Sequence, residues 1–476
     1  MKTNPYKYES IFITLIISFG LLLRGFNLNF NDFWSDEMVS FYLSDPNLEF
    51  LETVKLVFAS NLTVTFEIVL KFFHKIFGYN FEYSRYLTVL LSIISIFYFY
   101  RLIKINKSYQ SAILGIILLS INIYHIRYSV ELRSYTLTFL LTIILLNLIF
   151  YQGKIKEFKN FLNYLFIFTV SLLMLFSHAY SIIVIISINF YIFLIWVIQK
   201  NFTKNNILLF LSTSISSLLF ILLYINNISH TPSWIPELKN SFFTNYYFSS
   251  FFGSRILGLL HLLILSYLII NKFNKVARKF DIELFLIILL LLTYIIPISY
   301  SLIFKPILID RYIFFVLIPI LCLISHFIFQ IKPKLFSYSL ATLICLITFF
   351  NHLFFENTLR QFYTEIYPNK PEIKKVLKHI NLSDNSNFTF KTDDRFEINT
   401  NEIYENYYQK YLEKLKLKLN YISFKKQNDF PDTLWVIYLK DTTNIDYNIS
   451  EKFNGYKVVD KKYFNRIELY LLSNKI

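Results

Sequence analysis

The chain of 476 residues is 55% apolar, contains 53 Phe and 36 Tyr, and has a mean hydropathy of +0.46. A soluble fold of this length would not hold so many separate apolar runs of spanning length, since a bilayer core needs about 20 apolar residues per helix. The formal net charge of +15 implies no nucleic-acid partner, because the placement of the charge reports membrane orientation.

In chain order, apolar stretches at 10–26, 85–103, 108–126, 134–151, 161–178, 180–198, 206–225, 256–271, 283–303, 312–331 and 335–354 predict eleven transmembrane helices. Basic residues cluster in every second connection. Lys2 and Lys7 precede the first span. Arg101, Lys104 and Lys107 follow the second, and Lys154, Lys156 and Lys159 the fourth. Lys200 and Lys204 follow the sixth; Lys272, Lys275, Arg278 and Lys279 the eighth; Lys332 and Lys334 the tenth. Only Glu9, Glu157, Asp281 and Glu283 oppose these sixteen basic residues. Such a distribution puts the N-terminus in the cytoplasm, and an odd number of spans puts the C-terminus outside. The first span is followed by polar 27–32, without a small-residue cleavage site, and reads as an uncleaved anchor. Cys322 and Cys345 fall inside predicted spans, so the exported regions hold no disulfide framework.

Three exported segments are informative. The first loop, 27–84, is acidic and contains apolar stretches at 51–58 and 66–77, too short and charged to span, which predict interfacial helices. The second is 126–133. The third, 226–255, begins with Thr231-Pro-Ser-Trp-Ile-Pro236, a rigid non-helical run. Residues 1–354 thus form a membrane domain and 355–476 a small extracytoplasmic α/β domain. Within the latter, 371–380 and 402–419 look helical, and 387–392, 434–439 and 467–472 look like strands.

Ionisable residues near the spans are costly unless they reach water or a partner. Arg24, Arg85, His125, Arg127, Glu131, Arg133, His178 and Arg311 all fall at predicted outer ends. Convergence on one face suggests a shared charged site there. Asp36 and Glu37 admit two readings: a general base that accepts a hydroxyl proton, or an acidic pair capping a helix 37–43 after Ser35. Arg127 and Glu131 are four apart and could pair on a helix face, leaving Arg133 for an anion; an interfacial Tyr/Arg anchor is the alternative. His178 is either a packing residue or a phosphate or metal ligand. Trp234 is an interfacial anchor or a sugar-stacking ring.

Together these residues resemble the bacterial GT-C membrane glycosyltransferases, the superfamily of dolichyl-phosphate-mannose protein mannosyltransferases and aminoarabinose transferases. The order is Arg24, Phe33-Trp34-Ser35-Asp36-Glu37, Phe77-Gly78 through Ser84-Arg85, Tyr128 to Tyr135, Ser177-His178-Ala179-Tyr180, Trp234-Ile235-Pro236 and Arg311-Tyr312. The resemblance implies a GT-C fold and inverting transfer of a sugar from a polyprenyl-phosphate donor to an exported acceptor glycan, lipid or protein, at the plasma (inner) membrane. Asp36 would be the base and Glu37 its orienting neighbour. Arg133, Arg311, His178 and Arg85 would bind the donor phosphate, with Trp34, Glu131, Tyr135 and Trp234 supporting the acceptor, sugar or loop. Relatives usually carry a Pro-Pro segment in the first loop, where this chain has Asn61-Leu62-Thr63-Val64-Thr65-Phe66; this puts the substrate in doubt more than the reaction class. Some relatives use a divalent metal; Asp36 and His178 could contribute ligands, without a complete set. Two rival readings are a lipid-linked glycan flippase or transporter, whose charged groups would sit near the midplane, and a non-catalytic scaffold.

Orientation is testable by thiol labelling. In a background lacking Cys322 and Cys345, Asp36→Cys and Arg311→Cys should react with an impermeant maleimide on intact cells, whereas Lys154→Cys should react only after permeabilisation. Asp36 and Arg311 on opposite sides would overturn the topology.

Overall fold

The computed structural model describes residues 5–60, 63–158, 160–228, 235–368, 370–383, 385–391, 400–422, 430–439 and 453–474. They form two compact units: Met1–Phe26 with Leu48–Leu359, and Asn27–Asn47 with Arg360–Ile476.

The first unit is a multi-pass helical membrane bundle. Phe81–Asn106, Ala179–Gln199, Lys204–Tyr224, Arg255–Phe273, Ile282–Ile303, Asp310–Ile328 and the run beginning at Lys334 are long and apolar enough to cross a bilayer. The pair Tyr109–Ile121 and Ile123–Ser129 makes an eighth if its 58° bend lies within one span. Every predicted stretch is helical, but the expected count of eleven exceeds the seven or eight that length and apolarity support among the described residues. Tyr135–Ile149 and Phe161–Leu175 have 15 residues each, short of a straight crossing. Pro5–Gly25 covers the first predicted span. Amphipathic helices Phe50–Ala59 and Val64–Phe77 occupy the first-loop stretches expected to lie at the interface. Asn61 and Leu62, part of the segment that replaces the prolines, lie outside the described residues. Strands β1 (Phe150–Tyr151) and β2 (Lys154–Ile155) form a small antiparallel ribbon.

Two of the acidic residues among the basic clusters, Glu9 and Glu283, are paired. The Glu9 carboxylate accepts from Lys104 and Tyr100, and Glu283 lies 2.7 Å from Lys107 Nζ and 2.6 Å from His326 Nε2.

Asn122 interrupts the bent pair, and the break exposes carbonyls that lipid cannot solvate. Arg24, fully buried, covers them. Its Nη1 donates to Ser120 O and Gly20 O, both at 2.9 Å, and its Nη2 to Leu119 O at 3.1 Å. Nε donates to Ser92 Oγ, and Nη2 also to His125 Nδ1, both at 2.8 Å. All five guanidinium N–H groups are thereby used. Arginine cannot accept, so His125 Nδ1 is the acceptor. The Asn122 side chain caps the second half-helix by accepting from His125 N at 2.8 Å.

The second unit is α/β. Strands β3 (Asn387–Lys391), β4 (Asn420–Tyr421), β5 (Thr433–Leu439), β6 (Lys457–Phe464) and β7 (Ile467–Ser473) form a sheet in the order β4-β3-β5-β7-β6. β3 runs parallel to β4 and β5, and β7 antiparallel to β5 and β6. Leu434, Val436, Tyr438, Phe453, Tyr470 and Leu472 make a core. Ile373–Asn381 and Thr400–Leu415 are its principal helices. β6 escaped the sequence reading: it is a mostly exposed edge strand, and Lys-Val-Val-Asp-Lys-Lys-Tyr-Phe lacks period-2 alternation. Asn27–Asn47 folds with this unit and contains the helix Ser35–Leu43.

Replacing Arg24 by Leu should orphan the carbonyls at the break, at a cost of about 1–3 kcal/mol for each buried acceptor that finds no substitute. Thermal unfolding in detergent should show a clear loss of stability, smaller for Arg24→Lys. An unchanged midpoint for the leucine variant would remove Arg24 as the clasp.

Candidate functional site

The candidate residues divide between the two units. In the membrane unit, the helix Ile123–Ser129 ends before Glu131, and 130–134 is a turn in which Arg133 N donates to Glu131 O at 2.8 Å. Arg127 and Glu131 therefore do not share one helical face as expected, because the helix ends at Ser129 and Glu131 lies in the turn after it. Glu131 and Tyr135 are buried, and Arg133 is half-buried.

His178 lies beyond the end of Phe161–Leu175, in the turn before the short helix Ala179–Ser181, and not on a span as expected. The turn is tied to the interfacial helix through Thr65 N to Phe176 O at 2.9 Å and Thr63 Oγ1 to Ser177 O at 2.7 Å. Arg311 is carried by the 3-10 helical segment Asp310–Val316, where Asp310 Oδ1 accepts from Arg311 N at 2.8 Å. Two tyrosine hydroxyls strap the preceding strand-like segment, Tyr180 donating to Ile307 O and Tyr247 to Leu308 O. Arg311 is half-buried.

These turns meet around His178. Its ring lies 5.2 Å from Tyr312 and 5.7 Å from both Tyr135 and Tyr180, centroid to centroid. Loss of water first, then the Arg133 and Arg311 guanidiniums, hold the imidazole at about 3, far below its usual value. Tyr180 N donates to Nδ1 at 3.3 Å, so the neutral ring carries its hydrogen on Nε2. The site thus offers two guanidinium forks and one neutral N–H donor, a set suited to phosphate oxygens. Arg85 is buried on the second turn of Phe81–Asn106, beside the His74–Ser84 hydrogen bond of 2.8 Å. A wholly apolar cavity of about 320 Å³, lined by Val54, Phe58, Val64, Ile68, Leu172 and Phe176 among others, reaches to within two residues of His178 along the chain.

In the second unit, Trp34 is the N-cap of Ser35–Leu43, so the helix starts two residues before the expected Glu37. Glu37 Oε2 accepts from Trp34 N at 3.4 Å, half of a capping box; the indole, a donor only, cannot supply the other half. The buried Glu37 carboxylate also pairs with Lys370 Nζ at 3.1 Å. Glu37 therefore takes the capping and pairing role, and Asp36, half-buried in the same first turn, is left as the candidate base. Lys370 was invisible in the sequence, being one lysine of a lysine-rich tail 333 positions from its partner. Trp234 lies outside the described residues. Among the described residues no three His, Cys, Asp or Glu side chains gather to hold a metal.

The chain is a polytopic membrane protein with the GT-C fold. It is similar over 98% of both chains to ArnT from Cupriavidus metallidurans in the apo state, with 10% identity and a TM-score of 0.60. The same ArnT bound to undecaprenyl phosphate matches with 11% identity, 98% coverage of both chains and a TM-score of 0.56. AglB, the oligosaccharyltransferase of Archaeoglobus fulgidus, in complex with an inhibitory peptide and a dolichol-phosphate, matches 85% of this chain and 60% of its own, with 10% identity and a TM-score of 0.53. Compared by sequence, the chain matches no family model and no curated protein.

The depressed His178 value has a pH signature. Free histidine titrates near 6.5; between there and about 3 the unfolded chain binds a proton that the folded site refuses. His178 therefore contributes stability above pH 6.5 that is lost as pH falls. His178→Asn, whose amide oxygen can still accept from Tyr180 N, should lose less stability than wild type on acidification from pH 7 to 4. Parallel unfolding curves for the two proteins would contradict a neutral His178.

Proposed function

We propose that the chain is an inverting glycosyltransferase of the plasma (inner) membrane, which moves a sugar from a polyprenyl-phosphate donor to an exported acceptor glycan, lipid or protein. The observation that carries the reading is the grouping of Arg133 and Arg311 with the neutral, tyrosine-boxed His178. It is supported by the shared fold with ArnT, one of whose structures holds undecaprenyl phosphate, and with AglB, seen with a dolichol-phosphate.

In this mechanism the acceptor hydroxyl attacks the anomeric carbon in a single displacement. The new C–O bond forms as the bond from that carbon to the donor phosphate oxygen breaks. Asp36 takes the hydroxyl proton, and the phosphate leaves on its lipid. Arg133, Arg311 and His178 Nε2–H meet the charge that builds on the phosphate; Arg85 adds a further cation. They accelerate transfer only to the extent that they bind the departing phosphate more tightly than the glycosylated donor. The apolar cavity beside Phe176 takes part of the isoprenoid tail. Glu37 orients the base, and Trp34, Glu131, Tyr135 and Trp234 support the acceptor, sugar or loop. The C-terminal unit is extracytoplasmic in this scheme.

The test is transfer by purified protein from a radiolabelled polyprenyl-phosphate sugar to membrane acceptors. Asp36→Asn should lower kcat by roughly 10²–10⁴, the usual contribution of a general base. Equal transfer by wild type and Asp36→Asn would remove Asp36 from that role, since an amide cannot take the proton.

A further inference from the structure

The segment Asn27–Asn47 is held by the C-terminal residues through a dense set of directed contacts. Asp32 accepts from Tyr411 Oη at 2.7 Å and from the backbone N of Lys374 at 2.8 Å. The second contact sets a carboxylate at the first turn of Ile373–Asn381, where the helix dipole favours it. Asn31 Oδ1 accepts from Tyr367 N at 3.2 Å, and the Phe33 ring stacks on Tyr407 with centroids 5.5 Å apart.

The strongest tie falls on the helix itself. Lys370 and Glu37 are 3% and 0% exposed and form an ion pair of 3.1 Å. The same ammonium lies 4.9 Å from the centroid of the Trp34 indole. Lys370 thus grips the N-cap residue and the third helical residue, and Asp36 lies between them. Two apolar side chains could fill this space at least as stably, because burying charges costs several kcal/mol per ion before their attraction is counted. An ion pair there is better suited to fixing a register.

We propose that the C-terminal α/β unit is the platform that positions the carboxylate of Asp36, with Lys370 as the positioning residue acting through Glu37. This rests on the reading of Asp36 as the base. Lys370 touches neither donor nor acceptor in this scheme; its charge fixes the first turn of Ser35–Leu43, so its loss affects the rate of transfer and not donor affinity.

The experiment uses the full chain and two readouts, amide hydrogen exchange and steady-state transfer from a polyprenyl-phosphate sugar. Lys370→Met should raise exchange in 35–43 about tenfold or more and lower kcat by a similar factor, leaving KM for the lipid donor unchanged; one factor of ten corresponds to about 1.4 kcal/mol. Lys370→Arg should restore both. Adding Glu37→Gln to Lys370→Met should cost nothing further, because both changes remove one interaction. Unchanged exchange in Lys370→Met, a rise in KM at constant kcat, or multiplying losses in the double variant would overturn the proposal. Should Lys370→Met also lose protection across β5 and β7, Glu37→Gln alone serves as the test variant with the same expected outcomes. If wild type transfers no sugar, the enzymatic reading fails, while exchange in 35–43 still decides whether Lys370 holds the helix.

Discussion

A helix broken inside a membrane must find new partners for its backbone, because no water is present to supply them. Much of the membrane unit follows from how that requirement is met at Asn122. Without Arg24, the carbonyl of Ser120 would lose its guanidinium donor, and that of Leu119 would keep only the long 3.4 Å contact from Asn122 N. A cation also suits the negative end of Tyr109–Ile121. Because the break is stabilised, the chain can bend by 58° and then leave the helix altogether after Ser129. A continuous helix would have carried Glu131 and Arg133 onward along its axis. The bend delivers them into a turn.

Turns then place the cationic groups. Arg133 comes from the turn after the bent pair, His178 from a break between two helices, and Arg311 from a segment strapped by Tyr180 and Tyr247. The three irregular segments meet around His178. The chemistry of the set is differentiated as well. Arginine keeps its charge in almost any surroundings, so desolvation and mutual repulsion act on the weaker base. His178 gives up its proton, which leaves two fixed cations and a neutral donor whose tautomer is set by one backbone N–H. A charged histidine would have set a third cation beside the Arg133 and Arg311 guanidiniums.

What could be read in the sequence was whatever repeats over a whole element. Apolar runs marked the helices, and the strands at 387–391, 433–439 and 467–473 stood close to where the sequence put them. Three things depended on contacts distant in sequence and were not legible. The first was the bend at Asn122, since the run from Tyr109 to Ser129 is apolar enough to look continuous. The second was the end of the helix at Ser129, which takes Glu131 off the helical face that carries Arg127. The third was the grouping of Asn27–Asn47 with the C-terminal residues rather than with the membrane helices that flank it. Asp36 and Glu37 illustrate the limit well. Adjacent acidic residues could share a role or divide it, and the ion pair of Glu37 with Lys370, far down the chain, could not be read from either of them.

Under the proposed function, the two groups of residues face different demands on precision. An anion held by guanidiniums tolerates some movement, since each fork has several donors on a long flexible stem and charge attraction falls slowly with distance. A base that removes a proton has no such latitude: heavy atoms must come within about 2.6–3.2 Å, and a displacement of about 1 Å can cost a hundredfold in rate. Aspartate adds to the demand, because its short side chain cannot reach out to correct an error in the backbone. Its backbone must therefore be fixed instead. The first turn of Ser35–Leu43 has that character, with Trp34 under the Lys370 ammonium, Glu37 paired to the same group, and Asp32 and Phe33 anchored just before it.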